Sequence, residues 1–377
     1  MGTAGRYFDY NATAPTRAEV VDAMAAAMRE TLGNPSSMHV HGRRARQLID
    51  EARQQVATLV GARPAEIVFT SGATESNNLA MRGFVAHVPG ATIVTTTIEH
   101  HSVIATTDAL ERAGVPVQRL AVDADARPDL TRITELTAAG PCLVTVGWVN
   151  GESGHISDVA ALAGAVAPGS LLHMDAAQAV GRMPVSVEPD VSLLSMSAHK
   201  FGGPWGIGAL VVRTDLVDPQ LTGGPQEGAL RAGTENVASI VGMGAAAELA
   251  GRELADEGAR LTAMRESLWS SLTASVPGLL RITPADGAPA TLTIAVAELG
   301  SDVLVAGLDL AGFSVSAGSA CAAGAPEPSH VMRGLGIDER YTRGVVRISL
   351  GHATTERDCA DLATAFTAVV ERARKAA

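Results

Sequence analysis

Short apolar runs recur through the first two-thirds of the chain, at 67–69, 93–96, 117–122, 143–146, 171–174, 193–196 and 209–212. Each is too short for a helix and rich in branched or aliphatic residues, so each predicts a strand. Helical spacing appears as well. Leu48, Ile49, Ala52, Val56 and Leu59 fall three and four residues apart and mark one helix face. Leu130, Ile133 and Leu136 repeat the pattern more weakly. Strands alternating with helices predict an α/β fold, with a large domain built on a mostly parallel sheet covered by helices. Ligands of such sheets sit beyond the carboxyl ends of the strands. After about Val237 the texture changes. A long helical stretch passes through Glu248, Leu249, Leu254, Leu261, Met264, Leu268 and Leu272, and a smaller α/β segment follows with strands near 292–296 and 345–350. The expected boundary lies in that helix near residue 250. It gives a large domain of residues 16–250 and a small domain of residues 1–15 and 251–377.

Composition narrows the class. Of the 377 residues 46% are hydrophobic and 18% charged, the balance of a globular chain rather than a disordered one. A formal net charge of −11 argues against a broad surface for nucleic acid or anionic membrane. No apolar core of a signal peptide opens the sequence and no apolar run reaches spanning length, so a cytoplasmic protein is expected. The three cysteines, Cys142, Cys321 and Cys359, form no CxxC pair and no disulfide framework. The ten histidines show no metal-ligand spacing, and no metal site is expected.

Among 29 basic residues only Lys200 and Lys375 are lysines. Where the chain needs positive charge it uses arginine, so the interior Lys200 points to chemistry an arginine cannot do. A lysine can lose its proton and attack a carbonyl. That suggests a Schiff-base amine of the kind that holds pyridoxal phosphate. Its neighbours strengthen the pattern. Thr70-Ser71-Gly72-Ala73-Thr74-Glu75 follows one predicted strand and opens a helix, whose free N–H groups suit a phosphate; an ordinary capped helix would read the same way. Asp175 ends another strand, where a carboxylate could keep a pyridine nitrogen protonated, or could simply cap a helix. Gln178, three residues on, would share a helical face with Asp175. Ser197 and His199 flank the lysine and can donate to a phosphate. His100 could stack on a flat ring and move protons, or be a polar loop residue. Cys321 sits in Ser316-Ala317-Gly318-Ser319-Ala320-Cys321-Ala322-Ala323-Gly324, whose small side chains cannot pack a core, so a mobile, reactive thiol is expected there instead of a buried inert one.

Taken together these segments resemble a fold-type I pyridoxal-phosphate enzyme of the class V aminotransferase group, and more closely a NifS/IscS-like cysteine desulfurase. The likeness extends to Phe8-Asp9-Tyr10-Asn11-Ala12-Thr13, Gly33-Asn34-Pro35-Ser36-Ser37, Glu99-His100-His101 and Arg231-Ala232-Gly233-Thr234-Glu235-Asn236. The resemblance implies roles by position. Lys200 would carry the cofactor and shuttle protons. Ala73, Thr74, Ser197 and His199 would hold its phosphate, and Thr234 would reach the phosphate of the partner subunit in a homodimer. Asp175 and Gln178 would contact the ring nitrogen and the phenolic oxygen, with His100 stacked on the ring as an acid/base group. Arg347, with Asn34, would bind the substrate L-cysteine, and Arg347 would fix its carboxylate. Cys321 would take the substrate sulfur as a persulfide, release L-alanine and pass the sulfur to an acceptor protein for iron–sulfur assembly or thio-modification. Two other functions stay open: a selenocysteine or other amino-acid lyase that does not need Cys321, and a non-catalytic, cofactor-stabilised partner subunit.

The pattern departs from the family in three places. Gly151 in Asn150-Gly151-Glu152 replaces an asparagine that the resemblance expects to bond the phenolic oxygen, so that contact is either lost or left to water, Asn150 or Gln178. Ala198 replaces a glycine. The sequence ends soon after residue 369, without the longer tail by which some relatives dock an iron–sulfur scaffold, so general iron–sulfur assembly is a weaker expectation.

Overall fold

The structure, a computed structural model, describes residues 6–187, 190–318 and 329–376. The first strand, β1 (Arg6–Tyr7), belongs to a small sheet considered below. The large sheet contains β2 (Ile67–Thr70), β3 (Thr92–Thr96), β4 (Val117–Leu120), β5 (Cys142–Gly147), β6 (Leu171–Asp175), β7 (Leu193–Ser197) and β8 (Gly208–Val212). Their order is β2-β8-β7-β6-β5-β3-β4. All neighbours run parallel except β8, which is antiparallel to both β2 and β7. Every residue of β6 and β7 is buried, as expected of strands covered by helices on both faces. In register, Asp175 at the end of β6 lies opposite Gly147 of β5 and Ser195 of β7. The carboxyl ends of three adjacent strands therefore open onto one place.

Helix Val237–Ser275 serves two cores. Ile240, Met243 and Ala247 pack against the large sheet, whereas Leu261, Met264, Leu268 and Leu272 pack into a second core. That second core surrounds β9 (Leu279–Arg281), β10 (Thr291–Val296) and β12 (Val345–Ser349), antiparallel in the order β12-β10-β9. The short β11 (Phe313–Ser314) pairs in parallel with β1. The N-terminal segment thus joins the C-terminal third of the chain. Phe8 is fully buried in the second core, a burial worth about 2–3 kcal/mol. It pins the following residues, Asp9 to Ala12, between the two cores.

The structure departs from the predicted pattern at three points. β4 stops at Leu120, two residues short of the predicted end, because it is an edge strand; Val122 bridges instead to Pro128. Leu130 is exposed as the first residue of helix Leu130–Ala139 and does not join its buried face. Asp175 and Gln178 do not share a helix, since the chain leaves β6 through successive turns.

Candidate functional site

A cavity of ≈ 560 Å³ lies beyond the carboxyl ends of the sheet, lined by Ala73, Thr74, His100, Asp175, Gln178, Ser197, His199, Lys200 and Arg347. Nine of the side chains singled out in the sequence therefore meet in one place. Asn34 and Thr234 do not reach it from within this chain. Both are exposed, and Asn34 folds its own loop by accepting a bond from the Ser36 N–H at 2.8 Å. Cys321 lies outside the described residues.

The amine comes from the short turn that follows β7. Lys200 Nζ donates to the main-chain carbonyls of Asn11 at 2.5 Å and Ala12 at 3.0 Å. Burial, reinforced by Arg182 and Arg347, pulls its pKa down from 10.5 to about 8, against the opposing pull of Asp175 and Asp9. An amine so placed is neutral often enough to attack a carbonyl at ordinary pH.

On the cavity floor Asp175 accepts from Asn77 Nδ2 at 2.7 Å and from the Ala177 N–H at 3.0 Å. Asn77 also donates to Ser102 Oγ at 2.8 Å, and Ser102 contacts His100 Nδ1 at 2.8 Å. His100 caps helix His101–Arg112 through that same Nδ1, which accepts from the Ser102 N–H. The cap reading and the ligand reading thus hold together: Nδ1 fixes the ring while the rest of it lines the cavity. Burial lowers the His100 pKa, partly countered by Asp175, so the ring is mainly neutral near pH 7.

At the opposite wall, helix Ala73–His87 begins with Gly72 and points its N-terminus into the cavity. Strand β8 comes close enough that a Cβ on Gly208 would lie 2.6 Å from Gly72 Cα, so the approach requires glycine. Glu75 ties this turn down, accepting from the Ser71 N–H at 2.6 Å and pairing with Arg231 at 2.9 Å. His199 Nδ1 lies 3.0 Å from Thr13 Oγ1, which also receives the Trp205 indole N–H at 2.9 Å. The Thr13 hydroxyl proton is then free for Nδ1, leaving a proton on Nε2. Burial beside Lys200 and Arg182 lowers the His199 pKa to about 4, so it offers a neutral N–H rather than a charge.

This donor set fits pyridoxal phosphate. A helix N-terminus with neutral donors suits the phosphate, a buried carboxylate suits the ring nitrogen, and a desolvated amine suits the aldehyde.

At Gly151 the space of a missing side chain is filled by a neighbour. A Cβ there would stand only 3.0 Å from Gln178 Nε2 and 3.2 Å from its Cγ, so Gln178 has taken the space a side chain at 151 would need. Gln178 Nε2 donates to the Asn11 carbonyl at 2.9 Å and its Oε1 accepts from Arg182 at 2.9 Å. Asn150 is engaged with its own loop and with Ile98. Its Oδ1 accepts from the Glu152 N–H, the Ser153 N–H and Ser153 Oγ, and its Nδ2 donates to the Ile98 carbonyl at 2.8 Å.

Several participants carried no distinct signal in the sequence. Asn11 contacts Lys200, Gln178 and Arg182, yet only its place in a quoted motif marked it. Arg182 is one arginine among many. Glu99, beside His100, is fully enclosed and accepts from Thr96 Oγ1 at 2.6 Å and the Gly147 N–H at 2.7 Å; burial raises its pKa to about 7. Of the cysteines, Cys142 and Cys359 are free and buried, and burial raises both thiol pKa values, Cys359 to about 11. Among the described residues no cluster of ligands suits a metal, and no helix is long and apolar enough to cross a membrane.

Comparison with known proteins gives the family. Residues 6–362 match the aminotransferase class-V family. The IscS-like cysteine desulfurase of Mycobacterium tuberculosis is 40% identical over 387 residues, covering 98% of this chain and 98% of the relative. A solved NifS-like protein superposes with a TM-score of 0.91 at 33% identity, covering 98% of this chain and all of the other. SspA, solved in complex with cysteine, superposes with a TM-score of 0.79 at 30% identity, over 92% of this chain and 98% of SspA. The chain belongs to the class-V aminotransferases, and within them to the pyridoxal-phosphate-dependent cysteine desulfurases.

Proposed function

We propose that the protein removes sulfur from free L-cysteine, carries it on Cys321 as a persulfide, releases L-alanine and delivers the sulfur to an acceptor protein. One observation carries this reading: a desolvated amine, a buried carboxylate and a buried guanidinium converge on a single cavity in Lys200, Asp175 and Arg347. The complex of SspA with cysteine supports the choice of substrate.

In this reading Lys200 holds the cofactor and exchanges the proton at the substrate Cα. The N–H groups of Ala73 and Thr74, with Ser197 and His199, hold the phosphate. Asp175 would hold the ring nitrogen protonated, and Gln178, in the space left by Gly151, would serve the phenolic oxygen. His100 would stand against the ring, and with Nδ1 occupied it holds or moves a proton at Nε2. Arg347 receives the substrate, the guanidinium taking its carboxylate, and Asn34, exposed outside this chain's own cavity, joins it only where the homodimer brings it there. Bound there, pyridoxal phosphate supplies the electron sink that makes the Cα proton removable. The Cys321 thiolate then attacks the substrate sulfur. The carbon–sulfur bond breaks, a sulfur–sulfur bond forms on Cys321, and the carbon skeleton is reprotonated to L-alanine. Cys142 and Cys359, with their raised pKa values, are poor nucleophiles, which leaves this task to Cys321.

The working unit in this proposal is a cytoplasmic homodimer in which Thr234 reaches the partner's phosphate site. Exposed Met28, Leu32, Met38 and Val40, around the two N-terminal helices, support a covered surface there. Each subunit divides into a large domain of residues 16–250 and a small domain of residues 1–15 and 251–377. Acceptors include an iron–sulfur scaffold or a protein that thio-modifies nucleic acid or a metabolite. The acidic chain itself contacts neither nucleic acid nor membrane.

A Cys321→Ser variant assayed with L-cysteine and with selenocysteine tests the reading. Lost sulfur transfer with retained cofactor absorbance is expected. Undiminished release from both substrates would make the protein a lyase independent of Cys321. A wild-type protein with no turnover, even with reductant, would make it a non-catalytic partner subunit.

A further inference from the structure

Arg347 is only 4% exposed, and its guanidinium is incompletely used. Nη1 donates to the Gly151 carbonyl at 3.0 Å and Nη2 to Asp9 Oδ1 at 2.8 Å. Nε is buried and has no partner among the described residues. Nε and Nη2 form one edge of the guanidinium, the edge on which a carboxylate sits with both oxygens. Asp9 reaches that edge through a single bond. The backbone holds it there: Asp9 bridges Ser349, two residues beyond Arg347, and the neighbouring Phe8 is locked in the second core.

Resting on the reading of this cavity as a cysteine site, we infer that Asp9 is a built-in surrogate for the substrate carboxylate. It fills half of the Arg347 edge in the resting protein and yields to a ligand that can fill both halves. A buried donor left bare is costly, so a two-oxygen ligand gains Nε as well as Nη2. A one-point anion gains nothing over Asp9. The device therefore weakens binding of every carboxylate and selects against anions that offer a single oxygen. It also keeps the guanidinium neutralised close to Lys200, whose pKa responds to both Arg347 and Asp9. Asp9 is in this sense a residue that sets affinity and selectivity, and it takes no part in bond making.

The test compares the cofactor-loaded wild type with Asp9→Asn, which keeps size but offers a weaker acceptor. Binding of L-alanine and of propionate is followed by the change in cofactor absorbance, and KM and kcat for L-cysteine are measured alongside. Both dissociation constants and the KM are expected to fall together, on the order of fivefold in the variant, with kcat unchanged or lower. A second variant, Asp9→Glu, has the reach to cover both donors and should move all three constants upward. Constants that rise in Asp9→Asn would mean that Asp9 aligns Arg347 for the substrate, and would overturn the inference. So would constants that stay fixed in both variants. A wild type that binds neither L-alanine nor L-cysteine would overturn the cysteine-site reading itself, which separates the two failures.

Discussion

Lys200 Nζ rests against the main-chain carbonyl of Asn11, 189 residues away in sequence, at 2.5 Å. The residue that marks the site and the segment that closes it thus come from distant parts of the chain. A carbonyl stabilises a protonated amine, while burial and two guanidinium groups oppose it, and burial wins.

The reactivity of Lys200 should follow from that balance. With its pKa lowered to about 8, the neutral fraction rises tenfold per pH unit below that value and levels off above it. The rate at which cofactor-free protein takes up pyridoxal phosphate should trace the same curve, read at the absorbance of the bound chromophore. Lys200→Ala should show no covalent attachment after borohydride reduction, judged by intact mass. A midpoint near 10.5 would mean that the amine is not desolvated.

The Gly151 position makes a different prediction. A Gly151→Ala side chain would press on Gln178 at about 3 Å and displace it from Asn11 and Arg182. A loss of about 1–2 kcal/mol in stability is expected, measured by denaturant unfolding. Because Gln178 lines the cofactor cavity, the absorbance maximum of the loaded protein should shift as well. Unchanged stability and spectrum would show that Gln178 moves aside freely.

A buried acid network offers a structural test away from the chemistry. Glu227 accepts two bonds from Arg53, at 2.7 and 2.9 Å, and one from the Phe69 N–H at 2.8 Å. It supports β2, the strand that leads into the helix N-terminus of the site. Glu227→Ala strands a largely buried guanidinium and a backbone donor, and should cost about 3–5 kcal/mol. Calorimetry of the variant should show a correspondingly lower Tm, and a change within error would mean that solvent replaces the carboxylate.

Much of this was legible in the sequence because its signals are local. Seven apolar runs became seven strands, and residues at or just past their carboxyl ends, Asp175, Ser197, His199 and Lys200, became cavity walls. What stayed hidden is set by contacts between distant segments. Nothing near Asn11 reveals that its carbonyl meets Lys200 or that its side chain meets Arg182. Gly151 showed which side chain was missing, but only packing showed that Gln178 fills the gap. The fate of Gln178 itself was misjudged locally, since turns and not a helix follow β6.

Glu99 links the site to the pH dependence of folding. It is fully enclosed, and burial raises its pKa to about 7 from an ordinary 4.5, despite bonds from Thr96 and the Gly147 N–H that favour the charged form. Between pH 4.5 and 7 the folded state keeps a proton that the unfolded chain releases. The unfolded state binds fewer protons in that window, so this residue lowers stability as pH rises through it and adds no further change above pH 7. Glu99→Gln removes the titration while keeping an acceptor for Gly147 and a group that Thr96 can pair with. Relative to wild type, the variant should therefore gain stability from pH 4.5 to 7, by up to about 3 kcal/mol, measured as the difference in unfolding free energy across that range. Parallel pH profiles for the two proteins would show that the Glu99 carboxyl is ionised throughout, with the bonds from Thr96 and Gly147 outweighing its burial.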